Sequence, residues 1–428
     1  MCYTFTMVKE TNILVIGGGT AGAIAAIQAS RTGAETVLIE VNSMLGGAMT
    51  VDRVTYPGLF HAHGRQVIGG IGWKLVEEAV RLNNDCLQDF SKPFVKSHTE
   101  HHIHINKEIF TLLLEEECLK SGVEIRYYET PVKIEYNQGF WKVDICGKGT
   151  RISYVCNQLI DCTGNASAIR LAGFHCFRSK EIQPGSFMFK LCGYNPEKLD
   201  FNIIQKEYEE AIKSGMLKRE EFFINICSFL KNVHYENRIS VFSNHIHGAD
   251  SSTSASHTRT NIHSRKILLD MIRFLRTLPG LEETTVYSMS PQTAVRETYR
   301  IDAIHNITID EYMSGEDYDD FICYAFYPID LHDKNGVKPE RIAEGIFPKV
   351  PLRALIPKGS VNLIAAGRCI GSDRKSNSAL RVQATCMATG QAAGAAAAAA
   401  LMSKTSPGLV PIEHIKKILL DNEAILSL

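Results

Sequence analysis

The sequence predicts an α/β protein: one parallel sheet with a small antiparallel meander, built from two separated stretches of chain, with an α+β unit inserted between them. Three observations carry this. Residues 12–47, NILVIGGGTAGAIAAIQASRTGAETVLIEVNSMLGG, read as strand, glycine turn, helix, and a second strand ending in an acid. Residues 123–165 read as β-rich segments separated by NQG and GKG turns. At 361–367 another apolar strand, VNLIAAG, precedes a long helix of alanine and glycine.

In the first stretch, NILVI is a continuous apolar run of the kind found in a parallel strand covered on both faces. Gly17, Gly19 and Gly22 fill the pattern G-x-G-x-x-G. The first glycine allows the tight turn, the second lets backbone approach a pyrophosphate, and the third lets helix and strand pack closely. The helix from about Ala21 to Thr32 presents its N-terminal amides, from Thr20 and Ala21 onward, to phosphates. Gly33 ends it, ETVLIE follows, and Glu40 stands eighteen residues past Gly22, placed to accept ribose hydroxyls and to repel a 2′-phosphate. This unit is Rossmann-like and holds a dinucleotide.

The next elements follow in order. NKEIFTLLLEEECLKSG (106–122) reads as an amphipathic helix closed by glycine. VEIRYYETPVKIEY, FWKVDIC and RISYVCNQLIDCTGN are alternating or β-branched strands. Between about Ala172 and Asp333 the pattern changes: GSFMFKLCGY and RISVFSNHIHGAD read as strands of a separate sheet, and HTRTNIHSRKILLDMIRFLRTLPG as a long amphipathic helix. The domain division is 7–171, 172–335 and 336–428, the first and last forming one domain.

Composition bounds the partners. The 428 residues are 45% hydrophobic and 22% charged, with 46 basic and 47 acidic residues and a net charge of -1. That is an ordinary globular balance with no electrostatic case for nucleic acid. The 12 cysteines contain no CxxC spacing and read as free buried thiols in a reducing compartment. No signal peptide is visible in MCYTFTMVKETN, Met7 is an alternative start, and AAGAAAAAALM is too short for a bilayer. The expectation is a cytoplasmic protein with no membrane partner.

Candidate chemistry concentrates in a few places. Arg296 and Arg300, four apart in VRETYR, share a face of either a helix or a strand and suit a carboxylate or phosphate; a structural ion pair with Glu297 is the equal alternative. His332 in IDLHD is a candidate general acid or base, or a structural histidine. HTEHHIHI (98–104 and beyond) offers His102 and His104 on one strand face but lacks ligand spacing for a metal. NHIHGADSSTSASH offers His245, His247 and His257 in a serine-rich loop, which is a lid, part of a pocket or merely solvated chain. No second G-x-G-x-x-G follows a strand, so a nicotinamide domain is not expected.

The motifs PQTAVRETYRI, YPIDLHD, VPLRALIPKG, NLIAAGRCI and ALRVQATCMATGQAAG resemble, in order, those of the bacterial FAD-dependent oxidoreductase family. That family lies among the glutathione-reductase-like two-domain flavoproteins and is distantly related to fumarate reductase flavoproteins. The likeness covers nearly the whole chain, weakest over 175–285. It implies non-covalent FAD, with Gly46, Gly47 and Ala48 beneath the pyrophosphate and ribityl chain. It also implies that Val132 passes the adenine and that Thr163 and Gly164 meet the nucleotide. Gly367, Arg368, Arg381 and Val382 are the implied contacts to the flavin edge. Relatives often carry a histidine where this chain has Arg374, so Arg374 is a candidate catalytic residue whose role does not transfer. The implied activity is hydride transfer between flavin N5 and a small polar substrate, with an unidentified electron donor or acceptor. Structural FAD, or a FAD-supported isomerisation or hydration, is the rival reading.

Overall fold

A computed structural model describes residues 7–428 except 93, 95–96, 219–225, 232, 235–238, 334–335 and 338. Cys2 and the first residue of RISVFSNHIHGAD, Arg238, fall outside the described residues.

The main sheet has seven strands: β1 (Val8–Ile16), β2 (Thr36–Glu40), β3 (Glu124–Tyr127), β4 (Glu129–Asn137), β5 (Phe140–Gly147), β6 (Thr150–Asp161) and, far along the chain, β13 (Leu363–Ala365). The strand order is β3-β2-β1-β6-β5-β4, with β13 beside β6. Pairs β1–β2, β1–β6, β2–β3 and β13–β6 are parallel, whereas β4, β5 and β6 form the antiparallel meander. The register sets Ile16 beside Ile39 and Asp161, so the strands end together. Gly17, Glu40 and Thr163 therefore gather at the carboxyl edge of the sheet, where open α/β sheets bind ligands. Helix α1 (Thr20–Arg31) covers one face, with α2 (Gly70–Leu82) and α3 (Lys107–Lys120) beyond it.

Near the end of the chain α6 (Arg374–Leu380) leads into α7 (Gln383–Ser403), followed by α8 (Ile412–Asp421). Small residues let α7 lie directly on α1. A methyl group on Gly390 would fall 2.2 Å from the Ala21 carbonyl oxygen, and one on Gly394 2.3 Å from that of Ala25. Only glycine permits such backbone contact.

A second sheet is antiparallel in the order β9-β10-β8-β11: β8 (Gly185–Cys192), β9 (Val233–His234), β10 (Ile239–Ile246) and β11 (Thr285–Met289). Phe187, Phe189 and Leu191 of β8 pack on Ile267, Met271 and Phe274 of α5 (Ser254–Leu275), with α4 (Phe201–Lys213) alongside. A short pair, β7 (Cys176–Arg178) with β12 (Tyr299–Ile301), joins the two units. Tyr312, Phe321, Phe326 and Ile329, within the stretch 172–335, pack in the core of the main sheet rather than in this second one.

Several local expectations change. VEIRYYETPVKIEY is two strands, split at Tyr128, whose φ of 62° turns the chain. The serine-rich stretch is not a free loop: Thr253 caps α5 through a capping box with Ser256, so His257 lies in the helix and His245 on β10. HTEHHIHI begins as a 3-10 turn over His98–His101, and His104 lies in extended chain outside any strand. Among the described residues no helix is long and apolar enough to cross a membrane.

Candidate functional site

A cavity of about 340 Å³ lies over the carboxyl edge of the main sheet. Its floor is the glycine turn, and three glycines play different parts there. Gly17 takes a φ of 99°, and a Cβ on it would strike the Cys162 carbonyl oxygen at 2.6 Å. At Gly22 a Cβ would lie 1.8 Å from the Gly17 carbonyl oxygen, so α1 could not approach β1. Gly19, at the N-cap of α1, has no atom within 4 Å of where its Cβ would stand. That open space above the first amides of a helix is a phosphate cradle.

Glu40 closes one side. Its carboxylate accepts the Gly18 amide at 2.6 Å and the Asn42 backbone and side-chain N–H at 2.7 Å each. Burial pushes its pKa above the ordinary glutamate value, opposed by these hydrogen bonds. Gly46 donates to the Gly18 carbonyl at 2.8 Å, tying the glycine pair to the turn, while Gly47 and Ala48 face the cavity. Thr20, Ala21, Thr163, Gly164, Gly367, Arg368 and Arg381 line it as well.

Val132 does not. The pairing of β4 with β5 slips between Pro131 and Lys133, and this bulge leaves Val132 49% exposed on the outer side. Glu129, Thr130 and Pro131 form that wall instead. Val382 is the N-cap of α7, set beside Gly58 and behind the wall rather than in it.

The roof is polar. Arg368 donates to the carbonyl oxygens of Gly164 (2.7 Å) and Val295 and to Asn165 Oδ1 (2.7 Å). Asp52 is buried, accepts Gln292 Nε2 at 2.8 Å, and is pushed by burial to about 6 despite the Arg368 charge. Gln383 Oε1, His257 Nε2 and Arg381 Nε are buried around the cavity and lack a hydrogen-bond partner among the described residues. Unpartnered buried polar atoms of this kind call for a ligand. With the open space at Gly19, they fit a dinucleotide in this cavity.

Beyond Arg381 lies a second group of polar side chains. Arg381 donates to the Asp330 carbonyl oxygen at 3.2 Å and approaches Asp330 Oδ2 at 3.4 Å. His332 Nε2 pairs with the same Oδ2 at 3.0 Å, and its backbone N–H reaches Gln183 Oε1 at 3.1 Å. His245 packs edge-on against His332, ring centroids 5.0 Å apart, and receives Arg296 Nη2 at 3.5 Å. Tyr327 O–H joins His98 Nε2 at 3.1 Å and His102 Nε2 at 3.5 Å. Burial holds His332 below its ordinary pKa although the Asp330 bond opposes it, and takes His102 to about 4 and His245 to about 3. For Asp330, burial is overcome by the His332 bond and by Arg381 and Arg296, leaving it at about 2. The group is thus a carboxylate, two guanidiniums and neutral imidazoles near pH 7.

The expected arginine face does not form. Arg296 lies in coil between β11 and β12, and Arg300 on β12, so neither shared-face geometry applies. Arg300 turns into the protein and donates to the Ser372 carbonyl at 3.1 Å, away from the cavity. Glu297 pairs with neither. It is held by Arg374 Nε at 3.1 Å and by Gln183 N–H and Nε2 at 2.8 and 3.1 Å. Arg374 therefore starts α6 with its head committed to a buried acid, outside the cavity wall. Asp52, Gln292, Tyr327 and Asp330 were not singled out by sequence reasoning, whereas His245 and His257 were; His257 lines the cavity and His245 packs on His332. Of the four missed, only Asp52 left a trace, as a lone acid in the apolar stretch after the glycine pair.

A family model described as FAD dependent oxidoreductase matches residues 12–419. No curated protein matches the chain. Among solved structures it is similar to a geranylgeranyl bacteriochlorophyll reductase-like protein from Thermoplasma acidophilum, at 11% identity over 97% of this chain and 84% of that one (TM-score 0.47). It is similar also to OxyS anhydrotetracycline hydroxylase from Streptomyces rimosus, at 12% identity over 97% and 66% (TM-score 0.45). A third similarity is to p-nitrophenol 4-monooxygenase PnpA from Pseudomonas putida, at 12% identity over 97% and 85% (TM-score 0.38).

Proposed function

Because this chain belongs to the FAD-dependent oxidoreductase family and its cofactor is FAD, we propose that it moves a hydride between the flavin and a carbon of a small polar substrate seated beside Arg381. When bound, FAD supplies the two-electron donor or acceptor. The chain's own residues supply the rest. Gly19 and the first amides of α1 receive the pyrophosphate, Glu40 the ribose, and the N-terminus of α7, behind Arg381, a region where negative charge is favoured.

Proton handling falls to His332. Asp330 Oδ2 fixes the proton on His332 Nε2, which leaves Nδ1 with a free lone pair. Nδ1 is buried and has no hydrogen-bond partner among the described residues, so it is the atom that accepts or returns the substrate's proton. Arg300 and Arg374 support the site from behind rather than touch the reactants.

One observation carries the reading: Arg381 lines the dinucleotide cavity and also reaches the carboxylate that orients His332. The experiment is anaerobic incubation of the yellow protein with a panel of hydroxy, amino and unsaturated metabolites, followed by flavin absorbance. One compound class should bleach the flavin. His332→Gln should slow that bleaching by roughly 10²–10⁴-fold with FAD content unchanged, and flatten its pH dependence. Flavin that no compound reduces, with reduced flavin that no compound reoxidises, would favour structural FAD or a non-redox role. Unchanged kinetics in His332→Gln would remove the histidine from the chemistry.

A further inference from the structure

Resting on the substrate site proposed above, we infer that the substrate carries one carboxylate and that Arg296 binds it.

Charge and geometry converge on this. Arg296 is half-buried at the boundary between the inserted sheet and the main domain. Its guanidinium donates to the Pro184 carbonyl oxygen at 2.5 Å and approaches His245 Nε2 at 3.5 Å, and it makes no ion pair with an acid among the described residues. The acid within its field, Asp330, is already shared between His332 and Arg381. His245 and His332 are neutral near pH 7 and bring no counter-charge. Tyr327, whose ionisation burial opposes, brings none either. Among the described residues two desolvated guanidiniums thus face one carboxylate, one negative charge short.

An unpaired guanidinium taken out of water is costly, and such groups are retained where a partner arrives. Burial, and then Arg381, push Arg296 down to about 9, the direction expected of a guanidinium without a counter-charge. A bound anion would reverse it. The planar fork of arginine suits the two oxygens of a carboxylate. The shortfall is a single charge, which favours a carboxylate over a phosphate monoester. Arg296 also stands apart from the cradle at Gly19, so the cofactor's own phosphates are committed elsewhere.

The test uses FAD-loaded protein and spectral titration of the bound flavin with acetate, lactate and benzoate, their amides, and inorganic phosphate. The expected result is a saturable shift with at least one carboxylate, and binding at least tenfold weaker for its amide. Arg296→Gln should weaken that carboxylate tenfold or more with FAD content retained, and Arg296→Lys should recover part of it. The inference is overturned by no response to any carboxylate, by tighter binding of phosphate, or by equal titration of acid and amide. Wild-type affinity in Arg296→Gln overturns it too. If Arg296→Gln loses FAD, the acid–amide comparison on the wild type and the Arg296→Lys titration decide. The two readings fail separately. A carboxylate class that binds Arg296 while nothing on the metabolite panel bleaches the flavin upholds this inference and sinks hydride transfer. Bleaching by a neutral compound with no carboxylate bound does the reverse.

Discussion

Two glycines three residues apart should respond to the same substitution in opposite ways. Gly22→Ala adds a Cβ 1.8 Å from the Gly17 carbonyl oxygen, where real contacts keep beyond 3.0 Å, so α1 must recede by about 1.2 Å. Overpacking of this kind costs about 1–3 kcal/mol, offset in part by the ~1 kcal/mol helix preference of alanine over glycine. Moving α1 also spoils the cradle, so stability and FAD binding fall together. Gly19→Ala meets no protein atom within 4 Å and keeps an accessible backbone, φ −64°. Its effect on the empty protein stays within about 1 kcal/mol, because a slightly poorer N-cap is balanced by a stiffer unfolded chain. The new methyl group enters the space the pyrophosphate needs. Losing one or two amide bonds to a charged phosphate costs about 3 kcal/mol, roughly a hundredfold in Kd. The assay is thermal unfolding of the FAD-stripped proteins beside fluorescence titration with FAD. Binding by Gly19→Ala within threefold of wild type would refute the cradle, as would a destabilisation equal to that of Gly22→Ala.

Two further outcomes follow from buried acids. Asp52, raised by burial from 3.8 to about 6, contributes stability that is fully present below its unfolded value and is lost as pH rises through the folded one. Asp52→Asn, which keeps an acceptor for Gln292, should therefore gain on wild type as pH rises from about 4 to about 6 and hold the gain above that, up to about 3 kcal/mol in denaturant unfolding. A difference independent of pH would contradict this. Arg374→Gln strands the buried Glu297 carboxylate and should lower stability by about 1–3 kcal/mol, whereas adding Glu297→Gln should restore part of it. Additive losses in the double variant would show that the pair is not coupled.

The parts of the site legible in the sequence are those whose geometry is enforced within a few residues. Gly17 and Gly22 act through close backbone approaches that a Cβ would block, Gly19 through the open space above the helix N-terminus, and Glu40 accepts the Gly18 amide beside them, so spacing alone pointed to the turn that floors the cavity. Val132 was misplaced because one slipped residue in a hairpin exchanges inside for outside, and nothing in PVKIEY marks the slip. Arg296 and Arg300 lie in and after a coil whose path is set by Pro184, His245 and Ser372, all distant in sequence, so no periodicity could assign their faces. The serine-rich stretch misled for a chemical reason: the hydroxyls that make SSTS look like a solvated loop also build a helix cap. The group around Asp330 was legible only piecemeal: Arg296, His332, Arg381 and His245 stood out one by one, but its members come from six separate stretches, near residues 100, 183, 245, 296, 330 and 381, and no spacing shows that they meet.

The seam between α1 and α7 bears on how the protein is made. The phosphate cradle is complete as local chain by Arg31, yet the helix it rests on begins at Gln383, about 350 residues later. At synthesis rates of roughly 5–20 residues per second, the apolar side of α1 waits about 20–70 s for its partner. Through that interval Ile24, Ile27 and the alanines around them have no native cover from α7 and are open to chaperones and to aggregation. The cofactor's berth is therefore finished only once the chain from Gln383 to Ser403 has been made and has packed on α1.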